Sequence, residues 1–253
     1  MQLNVFVFVL WVIHLANLST DRIATAALVT LIFTATAWLV RGVSTSGAIA
    51  GAAISLLLYL SAGAGAFLVL VSVFLLTFMA TKLGYGQKQR LGTAEKSGGR
   101  SASQVLANLA VSVASALLFA AKSDPVFLLA CVSALSEAAA DTVSSEYGQA
   151  FSEHPRLITT WKIVPPGTDG AVSVAGTFAG IIAALIVSAI SASVHLISWR
   201  AMAISAGAAT LGMLVDSFLG AMLERRHWLN NDTVNFLSTL VAAVLALFLA
   251  GTH

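Results

Sequence analysis

Along the chain, apolar residues come in long unbroken runs. They show neither the alternation of a half-buried strand nor the one-sided stripe of a soluble helix. Nine runs can be counted, at about 3–18, 23–40, 46–61, 65–82, 103–121, 126–147, 170–191, 199–223 and 233–251. Each approaches the roughly 20 residues that an α-helix needs to cross a bilayer. In hydrocarbon a spanning segment must satisfy its own backbone polar groups, which selects helices. The pattern therefore predicts an all-α, polytopic transmembrane helix bundle of about nine helices, built as one domain over residues 1–253. Between 46–61 and 65–82 the interruption is only Ser61-Ala-Gly-Ala-Gly65, a small-residue turn. The first run has no basic residue before it and no cleavage-like site after it, so it is expected to remain as a helix.

Composition agrees. Hydrophobic residues make up 58% of the chain and charged residues 9%, with a mean hydropathy of +0.91. A soluble domain carries about a quarter charged residues. The net charge of +2 is too small to point to nucleic acid. The single cysteine, Cys131, excludes an intrachain disulfide, and histidines at 14, 154, 195, 227 and 253 are too scattered for a zinc site.

Charge placement orients the bundle. With the N-terminus inside, the cytoplasmic side receives Arg41, Lys82, Lys88, Arg90, Lys96, Arg100, Arg156, Lys162, Arg225 and Arg226, and the outer side receives Arg22, Lys122 and Arg200. That asymmetry is the positive-inside signature. The expectation is a multi-pass protein of a prokaryotic inner (cytoplasmic) membrane, with cytoplasmic loops at 83–102 and 148–169.

Three acids lie in the interior of the apolar runs, Glu137 and Asp141 in 126–147 and Asp216 in 199–223, and Glu146 stands at the end of the first. Ionisable groups at membrane depth are costly and mark functional sites. Ser133, Glu137, Asp141, Ser144 and Gly148 recur at three- and four-residue spacing, which is one helix face. Gly212, Asp216, Gly220 and Glu224 repeat the pattern, and Asn108 and Asn235 stand on further polar stripes at 104–115 and 230–235. At 1.5 Å per residue from the outer end, Glu137 lies about 17 Å down, Asp141 about 22 Å and Asp216 about 25 Å. All three approach the cytoplasmic face. Carboxylates gathered in a low-dielectric pocket are either protonated or share a cation, and Mg²⁺ with a phosphate completing its shell suits oxygen ligands. Asp141, Asp216, Glu146 and Asp232 are the candidate ligands, with Glu137 as a catalytic companion.

The loop from Lys82 to Arg100 is basic and glycine-rich and suits a phosphate chain. It is not a P-loop, because Glu95 precedes Lys96 where that motif needs glycine. The loop from Pro155 to Ser173 carries Pro165 and Pro166, after which Thr168 or Asp169 is the expected N-cap of the next helix. Amides of Gly167, Thr168 and Gly170 beside Arg156 and Lys162 would form an anion site. A faint parallel repeat also shows. Thr45-Ser-Gly-Ala48 echoes Thr168-Asp-Gly-Ala171, and Ala107-Asn108 echoes Val234-Asn235, at offsets of 123 and 127 residues.

Several ordered blocks resemble a known family. They are Gly92-Thr-Ala-Glu-Lys-Ser-Gly-Gly-Arg100 with Gln104-Val-Leu-Ala-Asn108, Glu137-Ala-Ala-Ala-Asp-Thr-Val-Ser-Ser-Glu146, Pro155-Arg-Leu-Ile-Thr-Thr160, Pro165-Pro-Gly-Thr-Asp-Gly-Ala-Val-Ser173, Asp216-Ser-Phe-Leu-Gly220 and Asn231-Asp-Thr-Val-Asn-Phe-Leu-Ser-Thr239. Together they are similar to the integral-membrane family of domain of unknown function 92, over a core of residues 41–253. That family includes a plant phytyl-phosphate kinase. The resemblance implies phosphoryl transfer from a nucleoside triphosphate, CTP favoured, to an isoprenoid monophosphate such as phytyl or geranylgeranyl phosphate. Joined to the reading of the residues, it leads to the expectation of Mg²⁺ at Asp141 and Asp216, with Glu137 or Glu146 as a further ligand, and of phosphates neutralised by Lys96, Arg100, Arg156 and Lys162. A transporter or flippase of prenyl phosphates, a CTP-dependent cytidylyltransferase and a non-catalytic scaffold are the competing readings. A homo-oligomer is compatible with all of them.

Overall fold

The computed structural model describes residues 19–94 and 98–251; the apolar run 3–18 and Lys96 lie outside them. The chain folds as a helix bundle. Its helices are α1 (Thr20–Leu39), α2 (Thr45–Lys82), a short α3 (Tyr85–Leu91), α4 (Ala102–Lys122), α5 (Val126–Phe151), α6 (Val174–Ser193), α7 (Trp199–Met222) and α8 (Asn231–Ala250). Serine or asparagine caps most of the long ones: Ser19, Ser44, Ser101, Ser173, Ser198 and Asn230 each accept a backbone N–H of the first turn. Two-residue strands β1 (Arg156–Leu157) and β2 (Ala171–Val172) pair antiparallel in the long loop before α6.

Seven helices among the described residues are long and apolar enough to cross a membrane, where eight of the expected runs fall, because two of those runs share one element. Runs 46–61 and 65–82 belong to one 38-residue element, α2, whose helical course breaks only at Gly63 (φ 83°, ψ −175°). That backbone region is open essentially to glycine alone. The chain reverses there. Near the break, the Arg22 guanidinium of α1 donates to the Leu60 carbonyl at 3.3 Å. At the other end, the Trp38 indole donates to Thr45 Oγ1 at 3.4 Å, and Gly42 lies flat against Phe74 and Phe78. Residues 45 and 78 are therefore neighbours, and segments 45–62 and 64–82 are two antiparallel arms.

α5 is the central post. It packs against both arms' element α2 and against α4, α6, α7 and α8, and from Leu129 to Ala140 every residue is buried. Alanines and glycines let its neighbours come to backbone distance. A Cβ on Gly180 would sit 2.8 Å from the Ala140 carbonyl, and one on Gly176 would sit 2.6 Å from that of Ser144. Such small-residue seams are how membrane helices gain van der Waals contact without a hydrophobic driving force. Ser136, Ser188 and Ser205 add a buried hydroxyl network between α5, α6 and α7, at 3.0–3.5 Å.

The caps also place the repeat. Ser44 and Ser173 cap the first arm of α2 and α6, while Ser101 and Asn230 cap α4 and α8. Both pairs are 129 residues apart, beside the 123 and 127 of the sequence echo. The two arms of α2 followed by α4 match α6, α7 and α8 in order, one set on each side of α5.

Candidate active site

α5 ends in a polar half-turn at the end of the bundle where the cations Arg41, Lys82 and Arg100 lie, and here the intramembrane acids converge. Glu137, Asp141 and Asp216 act electrostatically on one another, and the Asp141 and Asp216 carboxyls are within hydrogen-bonding reach. Ser238 Oγ of α8 donates to Asp216 Oδ2 at 3.2 Å. Glu137, one helical turn deeper, is 1% exposed, and its Oε1 has no hydrogen-bond partner. Gly212 makes room for it: a Cβ there would lie 2.6 Å from Glu137 Cγ. Glu224, just past α7, feels Asp169 and Asp141, and the Arg100 charge acts on Asp141.

A polar cavity opens over this group, lined by Asp141, Asp216, Glu224 and the turn Gly167-Thr-Asp-Gly170. The turn is held by its own chemistry. Thr168 donates to the Pro165 carbonyl through both its amide (3.2 Å) and its hydroxyl (2.7 Å), and Gly167 and Gly170 have φ of +83° and +73°. Gly170 rests directly on Ala221 of α7, where a side chain would collide with backbone. A Cβ on Gly167 would strike Thr93, so the two basic-end loops meet at that point. The expected N-cap is corrected here. Positive φ at Gly170 and the β1–β2 pairing keep 168–172 out of the helix, and α6 starts at Val174 behind Ser173, whose Oγ accepts from the Gly176 amide at 3.0 Å.

Other candidates fall elsewhere. Glu146 is committed to Lys88, at 2.5 Å, and to the Thr81 hydroxyl, at 2.9 Å. Lys88 is completely buried and also donates to the carbonyls of Ala80 (3.1 Å) and Thr81 (2.8 Å), closing the end of α2. Asp232 stands in the first turn of α8, where its charge complements the helix dipole, and its neighbour Asn231 lines the cavity instead. Asn235 is buried one turn below Ser238, and its carbonyl accepts from Ser238 and Thr239. Asn108 donates to the Gln104 carbonyl at 2.9 Å and lines a different, apolar cavity. Arg156 is exposed and donates to the Trp161 carbonyl at 2.8 Å; Lys162 is exposed as well, and neither lines the acidic cavity. The serine network and the buried Lys88 carry no signal in the sequence, because an isolated serine or loop lysine looks the same whether buried or solvated.

The donor set fits magnesium in one respect. Mg²⁺ in nucleotide sites takes one or two carboxylates and completes its shell with water and phosphate. The adjoining Asp141 and Asp216 supply such a pair, with the unpartnered Glu137 oxygen behind them. Among the described residues there is no group of three or more His, Cys, Asp or Glu set to cage a metal ion.

Comparison with known proteins adds the following. A family model described as an integral membrane protein, DUF92, matches residues 28–243. The chain is 33% identical over 220 residues to "Protein VTE6, chloroplastic" of Arabidopsis thaliana, covering 83% of this chain and 66% of that protein, about two thirds of its length. It is 33% identical over 204 residues to an uncharacterised membrane protein of Synechocystis, 79% of each chain. Over 211 residues it is 31% identical to an uncharacterised membrane protein of Methanocaldococcus jannaschii, with 83% of this chain and 86% of the other covered. No solved structure matches the chain.

Proposed function

Given that the chain belongs to the integral-membrane family DUF92, we propose that it is a prenyl-phosphate kinase-like phosphotransferase. It moves the terminal phosphoryl group of a nucleoside triphosphate, CTP favoured, onto an isoprenoid monophosphate such as phytyl or geranylgeranyl phosphate. The observation that carries this reading is the Asp141–Asp216 pair facing the Gly167–Gly170 turn, with the Arg100 charge acting on Asp141.

An oxygen of the acceptor phosphate attacks the terminal phosphorus, and the bond to the bridging oxygen breaks. A prenyl diphosphate and a nucleoside diphosphate result. The acceptor oxygen is already anionic near neutral pH, so no side chain has to remove a proton. Rate enhancement then rests on alignment and on charge placed where it develops. Asp141 and Asp216 would hold Mg²⁺, whose bound form neutralises the nucleotide phosphates. The turn amides receive a phosphate oxygen, Arg100 draws the acceptor phosphate toward Asp141, and the cavity's position at the cation-rich end, taken as cytoplasmic, gives the nucleotide access.

The test uses protein in nanodiscs with geranylgeranyl or phytyl phosphate, Mg²⁺ and γ-labelled CTP or ATP. Label is expected in a prenyl diphosphate and should fall at least a thousandfold in Asp141→Asn, with an unchanged elution volume. Full turnover in that variant would remove Asp141 from the reaction. Pyrophosphate release with a CMP-linked lipid would identify a cytidylyltransferase. The repeated three-helix sets around α5 favour one second reading, a transporter or flippase, since binding between repeats near mid-membrane is a transporter plan. It requires prenyl phosphate to cross liposomes without nucleotide.

A further inference from the structure

Beside the acidic cavity lies a second one, of different character. It sits between α1, both arms of α2 and α4, with Ala138 of α5 on its wall. Phe33, Leu70 and Val73 line its depth, and Arg41, Lys82 and Arg100 stand at its mouth. The mouth is rigidly built. Arg100 is locked to the α1–α2 junction by backbone bonds, its amide to the Gly42 carbonyl (3.2 Å) and its carbonyl to the Ser44 amide (3.0 Å). The Lys82 ammonium lies 5.3 Å from the Phe78 ring centre and 5.8 Å from that of Tyr85. None of the three cations forms a salt bridge among the described residues, where Lys88 and Glu146 make the one such pair. Three cations above a greasy shaft, of which Arg100 also feels Asp141, are complementary to an anionic head on an apolar tail.

We propose that this cavity is the acceptor site, taking a single-chain isoprenoid monophosphate with its phosphate at Arg41, Lys82 and Arg100 and its tail between α1, α2 and α4. The proposal rests on the transfer reading for the identity of the lipid. Arg100 joins the two halves: it lines the lipid cavity and acts on Asp141, so a phosphate held at Arg100 is presented to the acidic site across α5. The shaft is long enough for several isoprene units. Leu70 is twelve residues before Lys82, or about 18 Å along a helix.

Gly51 is the residue that keeps the shaft open. It lies in the middle of the first arm, lines the cavity, and a Cβ added there meets nothing within 4 Å. Gly47, one turn earlier, differs, because a side chain there would run into the Arg100 carbonyl. Glycine inside a helix is unfavourable unless space is needed. A larger side chain at 51 should thus occupy the cavity without disturbing its walls.

The experiment measures binding of labelled geranylgeranyl phosphate and dimethylallyl phosphate to the full chain in detergent, without nucleotide. Gly51→Leu and Gly51→Phe are expected to weaken the twenty-carbon ligand at least tenfold and the five-carbon ligand less than twofold. Lys82→Gln should weaken both at least threefold. Unchanged geranylgeranyl affinity in both Gly51 variants would overturn the proposal, as would a diacyl phosphatidate that displaces the ligand with equal potency. Should the larger side chains prevent folding, Gly51→Cys serves. Its alkylation should slow at least fivefold with geranylgeranyl phosphate and not with inorganic phosphate, and equal rates would reject the site; Cys131 is fully buried and silent. Gly51-dependent binding with no diphosphate formed leaves the cavity standing and removes the transfer reading. Wild-type geranylgeranyl turnover in Gly51→Phe keeps transfer and removes the cavity.

Discussion

Asp141 and Glu146 are five residues apart on α5, and the roughly 140° between them around the helix decides what each can do. Asp141 turns toward α7 and the acidic cavity, while Glu146 turns toward the end of α2 and Lys88. Breaking that ion pair leaves an unpaired charge in a dry place, which costs about 3–5 kcal/mol. Glu146→Gln is accordingly expected to lower the thermal midpoint markedly, and Lys88→Met with Glu146→Leu to recover most of the loss. A melt series in detergent checks this. A Glu146→Gln protein as stable as wild type, yet unable to transfer phosphate, would return Glu146 to the metal site. Asp141→Asn should show the reverse profile, normal stability with lost turnover. Sequence brought Glu137, Asp141 and Asp216 into view because charge inside an apolar run is conspicuous on its own. It gave no means to separate Glu146 from them, since a helix end faces several neighbours at once.

At the scale of elements, two glycines do what their neighbours cannot. Gly63 supplies the reversal within α2, and Gly170 lets the loop before α6 lie on α7 at Ala221. A non-glycine residue in the left-handed region costs about 1–2 kcal/mol before any collision is counted. Gly170→Ala is therefore expected to lift the 167–170 turn off α7. Transfer should drop about tenfold or more, and trypsin should cut faster at the exposed Arg156 and Lys162. Unaltered cleavage and turnover would show that the turn is not a binding element. The reversal at Gly63 has its own check by cysteine labelling. Ser46→Cys and Gln87→Cys should react with an impermeant reagent from the same side of the membrane, and Ala64→Cys from the other. Reaction of all three from one side would contradict the two antiparallel arms. Most helix bounds were legible to within a few residues. The start of α6 was not, because Thr168 and Asp169 have the chemistry of a cap and only the β1–β2 pairing takes them out of that role.

At the scale of the whole molecule, α5 is enclosed by α2 and α4 and by α6, α7 and α8, with α1 packed outside α2. This arrangement sets an apolar cavity on one side of the post and an acidic cavity on the other, within reach of each other through Arg100. The membrane class, the helical content, the cation-rich end and the three intramembrane acids were all determined by sequence. Each follows from a cost that hydrocarbon imposes on every residue separately: backbone bonds must close locally, and charge must be kept out or put to use. Which polar groups meet was decided by tertiary structure alone. Helix rotation and backbone-distance packing at Gly176, Gly180 and Gly212 place Glu137, Asp141 and Asp216 together. The same geometry sends Asn108 to the apolar cavity and gives Glu146 to Lys88. Rotation about a helix axis changes no term that a single apolar segment feels, so only its neighbours can choose it.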